Sequence, residues 1–99
     1  MLNSKRSIYS FETFADLLSA AKAISRIKGI NHSELLLSEN GSYYLEILER
    51  GAEKGSVILD FAPLLEFGSP ISSERHTYIL EHSERLTGGN AVQLLASLA

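Results

Sequence analysis

The stretch Leu35-Leu36-Leu37-Ser38-Glu39-Asn40-Gly41-Ser42-Tyr43-Tyr44-Leu45-Glu46-Ile47-Leu48 decides the fold. Asn-Gly between two apolar, β-preferring runs is the strongest short hairpin signal in a sequence. Both central residues of a type I′ turn need positive φ, which Asn tolerates and Gly adopts freely. With Asn40 and Gly41 at those positions, pairing runs outward from Glu39 opposite Ser42, through Leu37 opposite Tyr44, to Glu34 opposite Ile47. Side chains alternate along a strand. This register therefore places Leu36, Tyr43, Leu45 and Ile47 on one face and Leu35, Leu37, Tyr44 and Leu48 on the other. A sheet with one wet face alternates apolar and polar. Here both faces are apolar, so the second needs a cover.

Working outward, Ser7 to Phe11 is rich in β-preferring residues and predicts a first strand. Thr13 and Asp16 then fit a helix start, as N-cap and first-turn acid. Phe14, Leu17, Leu18, Ala21, Ile24 and Lys28 follow at helical spacing, with alanines at 20, 21 and 23 allowing close approach to a sheet and Gly29 as the stop. After the hairpin, Gly51 to Gly55 has loop composition. Asp60 suits an N-cap for a second helix, because Pro63 then falls in the first turn, where no intrahelical N–H bond is lost. Phe61, Leu64, Leu65 and Phe67 are its apolar set and Gly68 its stop. Val57 to Leu59 fits either an extended run or an earlier helical turn. Ser69-Pro70 breaks the chain. The alternation from His76 to His82 favours a strand with Tyr78 and Leu80 facing inward, and a helix capped at Ser72 or Ser73 is the alternative. Asn90 is a good N-cap for a closing helix, Ala91 to Leu98.

The order β-α-β-β-α-β-α predicts one α+β domain over residues 1–99: a ferredoxin-like antiparallel sheet with an added C-terminal helix, the first six residues being flexible. That last helix is the candidate cover for the second sheet face.

At 99 residues the chain has room for one core. Its 44% apolar and 21% charged residues fit a globular rather than a disordered chain. No cysteine is present, which removes disulfides, thiolate metal sites and thiol nucleophiles, and suits the cytoplasm. No apolar run is long enough to cross a membrane. Asn31-His32-Ser33 and Asn40-Gly41-Ser42 match glycosylation sequons as accidents of turn composition. On a strand, His76 and His82 stand about 20 Å apart and cannot share an ion. No serine lies in a nucleophile elbow, and Gly88-Gly89 lacks the lysine of a P-loop. These features predict no enzyme, no metal and no cofactor. The element order is also that of RNA-recognition domains. Adjacent Tyr43 and Tyr44 cannot both stack bases on one face, however, and a net charge of −3 opposes phosphate binding. A protein-binding patch of Leu35, Leu37, Tyr44 and Leu48, fringed by Glu39, Glu46 and Arg50, remains.

The ordered set Tyr9-Ser10-Phe11-Glu12-x-Phe14, Tyr43-Tyr44-Leu45, Leu65-Glu66-Phe67-Gly68, Glu81-His82 and Asn90-Ala91 resembles the C-terminal domain of the MecA adaptor family, over positions 9 to 98. The family usually continues from the acidic-aromatic or acidic-His pair with Gly and a basic residue, where this chain has Ser83 and Glu84. The resemblance implies a non-enzymatic module that docks on the AAA+ unfoldase ClpC, promotes its hexamer and couples substrates to the ClpP protease. By resemblance Glu66 and Glu81 are the acidic contacts, with Tyr43, Tyr44 and Phe67 holding or forming the adjoining surface; Glu46 and Glu84 are further candidate partner-binding residues of this chain. Two other classes share the residue pattern: an ACT-like small-molecule-sensing regulatory domain, and a self-associating domain that buries its apolar face in a homodimer. The lack of Gly between the first strand and first helix disfavours the former.

Overall fold

The computed structural model describes residues 4–26, 30–50 and 62–99. The loop Gly51–Gly55, Val57 to Leu59, the Asp60 cap, Phe61 and Gly29 lie outside them. Strands are β1 (Ser4–Phe11), β2 (Ile30–Ser38), β3 (Tyr43–Arg50), β4 (Ser69–Pro70) and β5 (Ser83–Arg85); helices are α1 (Phe14–Ile24), α2 (Ala62–Phe67), α3 (His76–Glu81) and α4 (Ala91–Leu98). The sheet is antiparallel in the order β4-β1-β3-β2-β5. Its first four strands have the ferredoxin-like arrangement, and β5 extends it beyond β2. Residues 4 to 6, expected to be flexible, are part of β1.

The hairpin forms, one residue out of the expected register. Leu37 faces Tyr43, Leu36 faces Tyr44, Leu35 faces Leu45 and Glu34 faces Glu46. The loop holds three residues, Glu39 to Gly41. Gly41 N–H donates to the Ser38 carbonyl at 3.0 Å and Ser38 N–H to the Ser42 carbonyl at 2.9 Å. Gly41 has φ +88°, and no non-glycine among the described residues has positive φ. This is the type I turn closed by a left-handed glycine rather than the type I′ pair. Side chains select it: Ser42 N–H reaches both Ser38 Oγ (3.0 Å) and Asn40 Oδ1 (3.2 Å), so Asn40 acts through its side chain. A one-residue slip moves a whole strand's side chains to the opposite face. Leu35 therefore joins Tyr43, Leu45 and Ile47, while Leu36 joins Tyr44 and Leu48.

The first face carries the main core. Tyr9, Phe11, Leu35, Leu45 and Ile47 meet Leu17, Ala20, Ala21 and Ile24 of α1, Leu64 of α2, and Ala91, Val92 and Leu95 of α4. The buried alanines 20 and 21 bring α1 close to the sheet, while Ala23 is exposed. Thr13 caps α1 as its sequence predicts, accepting from Asp16 N–H at 3.1 Å. The helix ends earlier than expected, at Ile24 with Ser25 as C-cap. Pro63 falls in the first turn of α2, and Leu65, expected in its apolar set, is exposed.

Two expectations fail together. The fourth strand is not His76–His82 but Ser69–Pro70, paired with Ser10 and Tyr9. Proline is tolerated there because β4 is an edge strand. Residues 73–81 are helical instead, a 3₁₀ turn at Ser73–Arg75 running into α3, with Ser72 at the N-cap position. Ile79 is buried and Tyr78 exposed, the reverse of the strand expectation. The reason is tertiary: Ile8 and Leu36 on the second face need an apolar lid, which Ile79, Leu80 and Ile71 supply. The cover expected of the last helix is thus α3. α4 lies beside α1 over β2 on the first face.

Asn90 occupies the N-cap position of α4 without making a side-chain cap bond. Ser33 on β2 replaces it. Its Oγ accepts from Val92 N–H at 2.9 Å, and its own N–H donates to the Gly89 carbonyl at 3.1 Å. Ser33→Ala should leave the buried Val92 N–H without its acceptor and cost about 1–3 kcal/mol, read as a lower urea midpoint at unchanged slope. Asn90→Ala should cost less, because its side chain caps nothing.

Candidate protein-docking surfaces

α3 covers only part of the second sheet face. Beyond it, a groove of about 310 Å³ is lined by Arg6, His32, Glu34, Glu46, Leu48 and Arg85. Glu34 and Glu46 are cross-strand partners, and like charges directly opposite destabilise a sheet. Both are almost completely buried, at 3% exposure each. Glu46 is offset by two guanidiniums: Arg6 Nε lies 3.0 Å from its Oε2 and Arg85 NH1 2.7 Å from its Oε1. Thr87 Oγ1 donates to Glu34 Oε2 at 3.1 Å while accepting from Leu35 N–H at 3.1 Å. His32 Nε2 lies 3.7 Å from Glu34 Oε1.

A second groove, of about 300 Å³, opens where α3 runs into β5 beside the hairpin. Leu37, Ser38, Glu39, Glu81, His82, Ser83 and Glu84 line it. Glu39 N–H donates to the His82 carbonyl at 3.2 Å, tying the hairpin to this corner. Glu39, Glu81 and Glu84 are all exposed. His82 stacks on Tyr78, centroids 4.0 Å apart, and its Nδ1 lies 2.8 Å from the Tyr78 carbonyl, so that nitrogen carries the proton. His76 Nε2 is engaged likewise with the Ile71 carbonyl at 3.1 Å.

Of the residues singled out in the sequence, Glu81 and Glu84 come together in the second groove. Glu66 does not join them. It is exposed on α2, which packs on α1 and β4, so it belongs to the opposite edge of the sheet, four strand spacings or about 19 Å away. Phe67 is half-buried against the main core. Tyr43 and Tyr44 take opposite faces: Tyr43 packs with Phe14 at 5.4 Å between ring centroids, and Tyr44 lies against the Ile8–Leu36–Ile79 cluster. Glu46 is not a rim acid but the buried centre of an ion cluster. The expected patch of Leu35, Leu37, Tyr44 and Leu48 is therefore dispersed, since the shifted register sends Leu35 into the core. Sequence reasoning missed Arg6, Glu34 and Arg85. The available signal was a lone acid inside an apolar strand, Glu34 before three leucines and Glu46 between Leu45 and Ile47.

Both sites are open, charged grooves on an antiparallel sheet. Residues 2–95 match the MecA family, described as negative regulators of genetic competence, and the chain belongs to that family. The solved C-terminal domain of YpbH shares its fold, with TM-score 0.69 and 24% identity over 96% of this chain and 99% of that one. Among curated proteins no match is found. The family is a regulatory one. No helix among the described residues is long and apolar enough to cross a membrane.

Proposed function

We propose that the chain works as one non-enzymatic adaptor domain of the MecA C-terminal type, binding a ClpC-type AAA+ unfoldase in the cytoplasm and promoting its assembly in regulated proteolysis. The observation that carries this reading is the groove in which Glu81 and Glu84 converge with Glu39 around Leu37. Exposed carboxylates around an apolar floor suit lysine or arginine side chains of a partner, and family membership supports the choice of partner. Glu66 and Phe67 supply a second contact at the opposite edge. Tyr43 and Tyr44 brace the hairpin from its two faces, and Glu46 holds Arg6 and Arg85 rather than touching the partner.

Glu81→Lys combined with Glu84→Lys should weaken binding to a cognate ClpC about 30-fold or more and abolish stimulation of its ATPase, as expected for loss of a desolvated charge pair. Glu66→Lys should weaken binding less. Absence of binding by the parent chain overturns the proposal, and binding indifferent to all three changes removes these residues from the interface. Exposed Leu94 and Leu98, one turn apart on α4, favour a homodimer as the second reading. A monomer by light scattering at micromolar concentration excludes it.

A further inference from the structure

We propose that the half of the second sheet face that α3 leaves bare among the described residues is a separate docking surface for a short acidic segment of a partner protein, its carboxylates taken by Arg6 and Arg85. The charges in this groove are sorted by depth. The negative groups, Glu34 and Glu46, are buried, while the side chains of Arg6 and Arg85 are 46% and 49% exposed and His32 stands beside them at 42%. The two guanidiniums are therefore the charged groups this half-face presents to a partner, while the two carboxylates that balance them lie below the surface.

Both guanidiniums are also anchored on one side. A single buried carboxylate holds one by Nε and the other by NH1. Each guanidinium has five N–H donors, and among the described residues the others have no protein acceptor. A planar fork drawn to one carboxylate on its inner side presents its remaining N–H groups outward in a fixed geometry, which suits a second carboxylate. Leu48, half-buried between Arg6 and His32 in the sheet register, gives the groove an apolar contact. Carboxylates interspersed with an apolar side chain match this surface. A polyphosphate has no apolar group to meet Leu48.

This surface is independent of the unfoldase groove, and its test omits the unfoldase. The probe is a labelled seven-residue peptide with three glutamates around one leucine, compared with its glutamine counterpart. The acidic peptide should bind with Kd below about 1 mM. It should shift the amide resonances of Arg6, Leu48 and Arg85, and bind at least fivefold more weakly to Arg6→Gln and to Arg85→Gln. An amide spectrum retaining the parent's dispersion shows that each variant is folded. Should one variant lose that dispersion, the resonance shifts on the parent chain decide. Lys22→Gln, exposed on α1, should leave affinity unchanged. Equal binding of the glutamine peptide, shifts confined elsewhere, an equal loss in Lys22→Gln, no binding at 1 mM, or displacement of the peptide by a short oligothymidylate would each overturn the proposal.

Discussion

Replacing Arg6 and Arg85 together by methionine should destabilise the fold by about 3–5 kcal/mol, the cost of leaving a buried charge unpaired. Methionine keeps an aliphatic stem over the sheet while Glu46 loses both partners. Its carboxylate then faces Glu34 across the β2–β3 ladder with no guanidinium beside it, while Glu34 keeps only Thr87 and His32. Either single substitution should cost much less, since the remaining guanidinium still contacts Glu46. Adding Glu46→Leu to the double variant should restore most of the loss, because removing a whole buried ion cluster is often neutral. Urea titration of the four variants measures this directly. A double variant as stable as the parent would mean that Glu46 is hydrated, and that the guanidiniums are not what holds it.

Gly68→Ala should destabilise the fold by about 1–3 kcal/mol as an overpacked site. A Cβ there would lie 2.6 Å from the Ser10 carbonyl oxygen and 2.7 Å from Phe11 Cε1. One neighbour is strand backbone and the other a buried ring, so neither yields readily. β4 has only two residues to hold it on β1, through Tyr9 and Ser10. Loss of that pairing should appear as faster amide exchange at Ile71, whose N–H donates to the Ile8 carbonyl at 2.8 Å. Gly88→Ala is the matched control: nothing lies within 4 Å of its added Cβ, and it should be neutral.

Local signals were legible in the sequence wherever a residue acts on its neighbours. Thr13 and Asp16 marked the start of α1, Pro63 the first turn of α2, and Asn40-Gly41 the hairpin. Expectations failed where a distant group decides. The register turned on whether Asn40 took positive φ or offered its side chain to Ser42, and the Ser38 hydroxyl settled that. Alternation from His76 to His82 favoured a strand, yet the apolar surface of Ile8 and Leu36, far away in sequence, favoured a helix. Asn90 had the composition of a cap, and Ser33 on another strand took the task. The site divides in the same way. Glu81 and Glu84 are neighbours in sequence and in space. Arg6, Glu46 and Arg85 meet only once the register is known, and no spacing in the sequence joins them.

The three-residue turn at Glu39–Gly41 has a kinetic consequence. A hairpin of this kind closes in about 1–10 µs, because its ends are near in the chain. The bond from Val92 N–H to Ser33 Oγ spans 59 residues and that from Ser10 to Ser69 likewise, so the outer strands and α4 must wait for long loops to close. High contact order slows folding. The turn therefore commits β2 and β3 to one register before any partner arrives, and with it which side chains become core and which remain at the surface.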